Sequence, residues 1–334
     1  MMPNLGYRAL ERDSQLQALQ NISGLSNLAA ALALEVGATP GKAMELLEAG
    51  RGIVAKRPTD FSLGLMPLHA AGHHDEDSID NAISNVMSSY TTTILSLRHS
   101  IRIMENLTLP RPLSQSKMAI IGMTKSPDRW PNFDKVPDHL QAVEQFITDE
   151  DNRIYRENCT SSNALDALCA SQMAHIVCHG ISQKDPSNSS LILCRKESSA
   201  SSEESQLVED PLNVRQIASR GSQNSYLAYL AACQTADKIA TGVLEENIHI
   251  VGAFQLLGYA NAIGTLWEVE EKASVIFATE FYASLGRRVL MCSQNKSHYA
   301  GDMIAAAFHG AMVHLRLQDP EYVVTWGPMV HFGP

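Results

Sequence analysis

Hydrophobic positions along the chain follow two periods, and the change from one to the other divides the sequence. Between residues 13 and 56 the spacing is helical. SQLQALQNISGLSNLAAALALEVG carries apolar residues three and four apart, the stretch from Gly37 to Gly41 with Pro40 interrupts it, and GKAMELLEAGRGIVAK resumes with Met44, Leu46, Leu47 and Ile53 on one side. The pattern predicts two antiparallel helices. They fit either a small helical hairpin or the last unit of a helical repeat array, because one pair shows no repeat period and a solenoid needs about three units.

Beyond the break RPTDFSLGLMPLHAAGHHDEDS the pattern alternates. Ile83 to Leu107 reads as a long helix, KMAIIGM (117–123) as a strand, VPDHLQAVEQFI (136–147) as an amphipathic helix and MAHIVC (173–178) as a strand. Residues 181–222, which include the serine-rich tract ESSASSEESQ, read as a long mobile loop interrupted by the short apolar LILC. SYLAYLAAC (225–233) then reads as a strand and Ala236 to Leu257 as a helix. ANAIGTLWEV follows as a strand, EKASVIFATEFYASLG and GDMIAAAFHGAMVHLRL as helices, and EYVVTWGPMVHF as an extended tail. Strands alternating with helices predict an α/β fold with a mostly parallel sheet covered on both faces. In such sheets the working residues collect at the carboxyl ends of the strands.

Composition narrows the function. The 334 residues leave room for two ordinary domains, or one large domain and an extension, and 45% hydrophobic with 19% charged residues is the mixture of a folded chain. The formal net charge is −10 and no basic block stands out, so phosphate-directed binding to nucleic acid or to an anionic membrane is not expected. The opening MMPNLGYRALERDSQ carries charges and no apolar segment, and Leu28 to Val36 is too short to cross a bilayer. A cytoplasmic setting is expected, with the six cysteines (159, 169, 178, 194, 233 and 292) as free thiols. No CxxC pair is present, so no structural zinc site, and no metal or organic cofactor, is expected.

Two strand ends carry chemistry. MAHIVCHG ends at His179 and Gly180, and LAYLAACQTA places Cys233 after an apolar run. A thiol is a nucleophile only as thiolate, and an imidazole near it in space can take the proton. The two lie 54 residues apart. Cysteine proteases of caspase type place their histidine about 50 residues upstream of a Q-A-C-[RQG]-G signature, which A-A-C-Q-T matches in part. The N–H groups of Gly180 and Cys233 are placed to hold an oxyanion. Taken singly, a cysteine on an apolar strand is a small core residue and a lone histidine satisfies a local hydrogen bond; it is their joint placement that points to chemistry. His175 and Cys178 are expected in the core, as is Trp267, with Glu268 and Glu270 at the strand end. His73 and His74 read as solvated loop, and nothing singles out Asp237.

The segments HIVCHG, DPSNSSLIL, YLAYLAACQTA, AFQLLGYANAIGTLWEVEEKASVIFATEFYASL and WGPMVHFGP, in that order, resemble a CHAT domain, a caspase-like group often found behind tetratricopeptide repeats. PLHAAGHH followed by VMSSYTTTILSLR resembles the start of that domain in fungal members, and AMELLEAGRGIVA the end of a preceding repeat array. The resemblance implies a caspase-like three-layer α/β sandwich with a mostly parallel sheet, preceded by a short helical hairpin. It carries His179 over as general base and Cys233 as nucleophile of a cysteine endopeptidase, with Gly180 and Cys233 supplying oxyanion N–H groups. Related peptidases often have an acidic residue two positions before the nucleophile; Ala231 stands there, so no P1 preference is assigned. The expected organisation is a helical segment over residues 1–58, which offers a face to a protein partner, and the CHAT domain over 59–334. The expected function is hydrolysis of protein or peptide substrates by a Cys–His dyad. The alternative is a non-catalytic scaffold or interaction module in signalling or self-recognition.

Overall fold

The computed structural model describes residues 25–39, 41–42, 45–46, 87, 89–106, 113–127, 129–183, 185–198, 205–220, 224–232, 235, 250–294, 300–318 and 323–334. The chain forms two compact units, one of residues 1–86 with 93–95 and 240–248, the other of 87–92, 96–239 and 249–334. Helix α1 (Leu25–Glu35) belongs to the first. It ends where expected: Gly37 takes a φ of 80°, and the Ala38 N–H reaches back to the Ala33 carbonyl at 2.8 Å, a turn that closes a helix at a residue without a Cβ. Helical residues resume at 41–42 and 45–46; the remainder of the expected second helix lies outside the described residues, as do His73 and His74.

The second unit is built on a six-stranded sheet. β1 (Met118–Gly122), β3 (Met173–Val177), β7 (Ser225–Ala231) and β8 (Tyr259–Thr265) lie side by side and parallel. β2 (Arg153–Glu157) adds in parallel at one edge, and β9 (Met329–Phe332) closes the other antiparallel to β8, in the order β2-β1-β3-β7-β8-β9. β1 and β3 are buried at every position, which is why each reads as an unbroken apolar run.

Helices cover both faces. α3 (Val136–Phe146), α7 (Glu271–Gln294) and α8 (Ala300–Gln318) pack Val143, Phe277, Phe281, Ile304 and Phe308 onto one face, where Met118, Ile120, Leu227, Tyr229 and Ile263 project. α4 (Ser161–Cys169), α5 (Val214–Ser219) and α6 (Ile250–Leu257) lie on the other. There Gly264 lets α6 approach: a Cβ at that position would collide with the Val251 and Thr235 side chains. The architecture is a mixed α/β fold with a mostly parallel sheet between helical layers, as expected.

Several elements differ from their expectation. Residues 181–222 are not a structureless loop. β4 (His179–Ile181), β5 (Ser190–Ser198) and β6 (Ser205–Asn213) form a second, antiparallel sheet, β5 and β6 pairing over nine positions. Asn213 then starts α5 with a reciprocal capping box to Gln216. The segment reads as polar because, among its described residues, the buried apolar positions of the hairpin are confined to Leu191, Ile192, Leu193, Cys194 and Leu212. The helix expected over 83–107 is α2 (Ile94–Asn106), preceded by an extended stretch in which Tyr90 bridges Phe332. The tail contains a helical turn, α9 (Val323–Trp326), before β9. β2 and α4 were not anticipated. Of the helix expected over 236–257, residues 236–249 lie outside the described residues.

Candidate active site

The parallel strands all end at one rim of the sheet, and the segments leaving β1, β3, β7 and β8 there make the site. His179 stands two residues beyond the end of β3 and opens β4. It is half-buried, as is Gly180. The position agrees with the strand-end expectation, with the difference that its backbone already belongs to the second sheet, opposite Ile192 of β5.

The imidazole is held on three sides by the loop that follows β1. Its Nε2–H donates to the Pro131 carbonyl oxygen at 2.8 Å. The Trp130 indole stacks on it, with ring centroids 4.8 Å apart and planes 27° apart, and the Phe133 ring lies 4.3 Å away at 37°. Because a carbonyl oxygen only accepts, this contact sets the proton of the neutral ring on Nε2 and leaves the Nδ1 lone pair free. Burial pushes the His179 pKa below its ordinary 6.5, against an upward pull from the Pro131 carbonyl and the Glu268 carboxylate. The ring is therefore neutral at neutral pH, the form that can accept a proton.

That loop has its own supports. The Trp130 N–H closes a turn onto the Pro127 carbonyl at 2.8 Å, and the Ser126 N–H donates to Asn132 Oδ1 at 2.9 Å. At the loop's base, the Lys125 N–H donates to Asn158 Oδ1, also at 2.9 Å. On its outer side Arg129 pairs with Glu209 of β6 through two nitrogens, Nη2 to Oε2 at 2.7 Å, and Trp130 Nε1–H donates to Glu209 Oε1 at 2.8 Å. The Arg129 guanidinium also lies over the Trp130 ring, 5.1 Å from its centroid. Desolvation opposes ionisation of Glu209, yet these donors outweigh it and hold the carboxyl below its usual range.

Cys233 lies outside the described residues, as does Asp237. Ala232 and Thr235, on either side of Cys233 along the chain, are hydrogen-bonded. Thr265, the last residue of β8, donates its hydroxyl to the Ala232 carbonyl at 2.9 Å, and its N–H donates to Thr235 Oγ1 at 3.0 Å. The Val251 N–H donates to the Thr235 carbonyl at 3.1 Å. The register of β3 against β7 pairs each residue with the one 54 positions later: Met173 with Leu227, His175 with Tyr229, Val177 with Ala231. His179 and Cys233 each follow a paired strand end by two residues.

The described thiols have other surroundings. Burial pushes Cys159 up to about 11 and raises Cys169 and Cys194 as well. Cys178 is fully buried, as expected for core, and so is His175, which hydrogen-bonds Tyr282 and His139 beneath the rim. Trp267 corrects its expectation: it is 38% exposed, at the rim beside Glu268 rather than in the core, because β8 ends at Thr265. Among the described residues no group of three or more His, Cys, Asp or Glu is arranged to hold a metal ion, and no helix is long and apolar enough to cross a membrane.

Arg129, Trp130, Pro131, Phe133 and Glu209 were not singled out from the sequence. The available signal was DRWPNF, two aromatics and a proline packed into the connection directly after a buried strand.

Against known proteins, the CHAT domain family model matches residues 54–334. No curated protein sequence matches the chain. Among solved structures it is similar to a chain of the Saccharomyces cerevisiae separase–securin complex, with 13% identity and a TM-score of 0.47 over 75% of this chain and 14% of that one. It is also similar to the Arg-specific cysteine proteinase gingipain R, with 11% identity and a TM-score of 0.45 over 71% of this chain and 51% of that one. A complex of the pro- and mature domains of Porphyromonas gingivalis RgpB gives 11% identity and a TM-score of 0.44, over 71% of this chain and 52% of that one. The chain thus spans about half or less of the length of each.

Proposed function

The chain belongs to the CHAT domain family, and from that membership and the surroundings of His179 we propose that it is a cysteine endopeptidase working through His179 and Cys233. The observation that carries the reading is the constant offset of 54 residues between β3 and β7. Two residues beyond the last pair, that offset leads along the sequence to His179, which opens β4, and to Cys233, which follows the end of β7.

In this reading Nδ1 of the neutral His179 takes the Cys233 thiol proton as the sulfur attacks a peptide carbonyl carbon. The N–H groups of Gly180 and Cys233 hold the resulting oxyanion. The C–N bond breaks, the imidazolium proton passes to the leaving amine, and the acyl group stays on sulfur as a thioester. A water then loses a proton to Nδ1 and attacks the thioester, and the thiolate leaves and regains that proton. The Pro131 carbonyl keeps the ring oriented and stabilises the imidazolium formed between the steps. Residues 59–334 form the peptidase domain, acting on protein or peptide substrates, and residues 1–58 a helical segment that offers a face to a protein partner.

The test is alkylation by a peptidyl acyloxymethyl ketone, read by mass spectrometry of each cysteine. Modification confined to Cys233, and abolished by His179→Ala, supports the peptidase. Uniform modification of all six cysteines removes the activated thiol and leaves the scaffold reading.

A further inference from the structure

The same hairpin grips His179 twice. Through β4–β5 pairing it holds the histidine's backbone opposite Ile192. Through Glu209 on β6 it holds the indole that stacks on the histidine's ring. Glu209 accepts from both Arg129 and Trp130 Nε1–H, and the ion pair spans 80 residues of sequence. Arg129 is 64% exposed at its side chain and Glu209 28%. An exposed ion pair contributes little to stability. Its geometry, however, is bidentate with a third donor from the indole, and that arrangement fixes orientation better than it adds energy.

The imidazole needs such fixing. One hydrogen bond, Nε2–H to the Pro131 carbonyl, sets the rotation of its ring about the Cβ–Cγ bond. Turning the ring over would replace Nε2–H with Cε1–H at that carbonyl, losing the hydrogen bond, and would exchange the basic Nδ1 with Cδ2. The flat faces of Trp130 and Phe133 close the space through which the ring would turn. Phe133 is carried on the run that leads into α3, and so has a helix behind it. Trp130 instead stands in the loop, held by the Pro127 turn, by Glu209 and by the Arg129 guanidinium over its ring.

We propose that Glu209, Trp130 and Arg129 are positioning residues for His179: the β5–β6 hairpin, through the Glu209 carboxylate, locks the indole against the imidazole and so holds Nδ1 towards the rim. The proposal rests on His179 as the general base, but the ring's tautomer and titration can be read whether or not the protein cleaves peptides.

The experiment compares the full chain with E209A, E209Q, R129M, W130A and W130F, with R195Q as a control. Arg195 pairs with Glu197 on the same hairpin and is exposed. Two readouts are taken: the His179 ring in long-range 1H–15N spectra across pH, assigned with His179→Gln, and kcat and KM on a peptide substrate. The expected result is an Nε2–H tautomer in the starting protein and in R195Q. E209A and W130A should give mixed tautomers, a His179 pKa moved upward towards 6.5, and a kcat reduced about tenfold or more at nearly constant KM, the signature of a misplaced group. W130F, which keeps a flat ring and loses the N–H, should recover most of what W130A loses, and R129M and E209Q should fall between. If W130A does not fold, the exposed substitutions E209Q and R129M decide. An unchanged tautomer and pKa in E209A and E209Q overturn the proposal, as does an equal kcat loss in R195Q. If no variant and not the starting protein cleaves peptides, yet the tautomer responds as stated, the positioning stands and the peptidase reading falls.

Discussion

At the scale of a single residue, His179 is set by opposed influences whose balance can be measured. Burial lowers its pKa, while the Pro131 carbonyl and the Glu268 carboxylate raise it, and burial wins. A general base works only when unprotonated, so peptidase activity falls as pH drops through that lowered pKa. The acid limb of kcat/KM is expected below pH 6.5. Glu268→Gln removes one of the raising influences, so the limb should move to lower pH by a few tenths of a unit, the size of an exposed charge interaction. A pH–rate profile that breaks at or above 6.5, or moves up in the variant, would contradict this. The contrast with the described thiols sharpens the point. Burial raises Cys159, Cys169 and Cys194, so none of these is a ready thiolate. Sequence led to the strand-end histidine because an apolar run breaking into His-Gly is visible in the letters. It does not lead to Trp130, Pro131 or Glu209, because Pro131 and Trp130 meet His179 across 48 and 49 residues and Glu209 meets Trp130 across 79, separations that no local pattern encodes.

At the scale of elements, the segment after β7 is anchored by the end of β8. Thr265 holds the Ala232 carbonyl with its hydroxyl and uses the Thr235 hydroxyl to satisfy its own N–H. All of these groups are buried. Thr235→Val keeps the shape and removes the acceptor, leaving the Thr265 N–H unpaired at a cost of about 1–3 kcal/mol. For a domain of this size that corresponds to a fall in melting temperature of roughly 3–10 °C. Calorimetry checks it, and a variant that melts with the unchanged protein would mean that water replaces the hydroxyl. Gly264→Ala should act at the same place, because the added Cβ meets both Thr235 and Val251. The elements that could be read from sequence are those whose burial is simple. β1, β3, β7 and β8 are sealed between helical layers, so their letters are predominantly apolar, with a few polar residues such as His175 and Asn261 that hydrogen-bond in the interior. β2 is an edge strand of sequence RIYRE with three exposed positions, and it carries no such run. The β5–β6 hairpin reads as a loop because its charged positions are not buried and its buried apolar positions are four in a row on β5 and one, Leu212, on β6. The register of β3 on β7, which gives the site its geometry, is a relation between two strands and is written in neither.

At the scale of the whole molecule, the interior carries imidazoles that stay neutral. His139 and His331 are pushed down to about 4 by burial, the first against an upward pull from Asp138, and His175 is lowered well below its ordinary value by burial and by His139. Each is built into a bond network. His175 joins His139 to Tyr282 across β3, α3 and α7. His331 accepts from Ser89 at Nδ1 and donates from Nε2 to Asn261 Oδ1, tying the extended segment before α2 to β9 and β8. Burial is what keeps the rings neutral, because a charged imidazole there would lose its hydration. Unfolded histidines take up protons as pH falls through about 6.5, whereas these three resist until about 4 or below. The unfolded chain therefore binds more protons over that window, and stability, complete above about pH 7, declines as pH falls from 6.5 to 4. Below 4 His139 and His331 cause no further loss. His139 and His331 each contribute up to about 3 kcal/mol of this decline. With three rings involved, unfolding near pH 5 should take up just under about three protons from them, a slope of roughly 4 kcal/mol per pH unit. Denaturant titrations between pH 7.5 and 4.5 at fixed ionic strength give that slope directly. A stability that is flat over this range, or rises towards acid, would show that the three imidazoles are not held neutral in the folded protein.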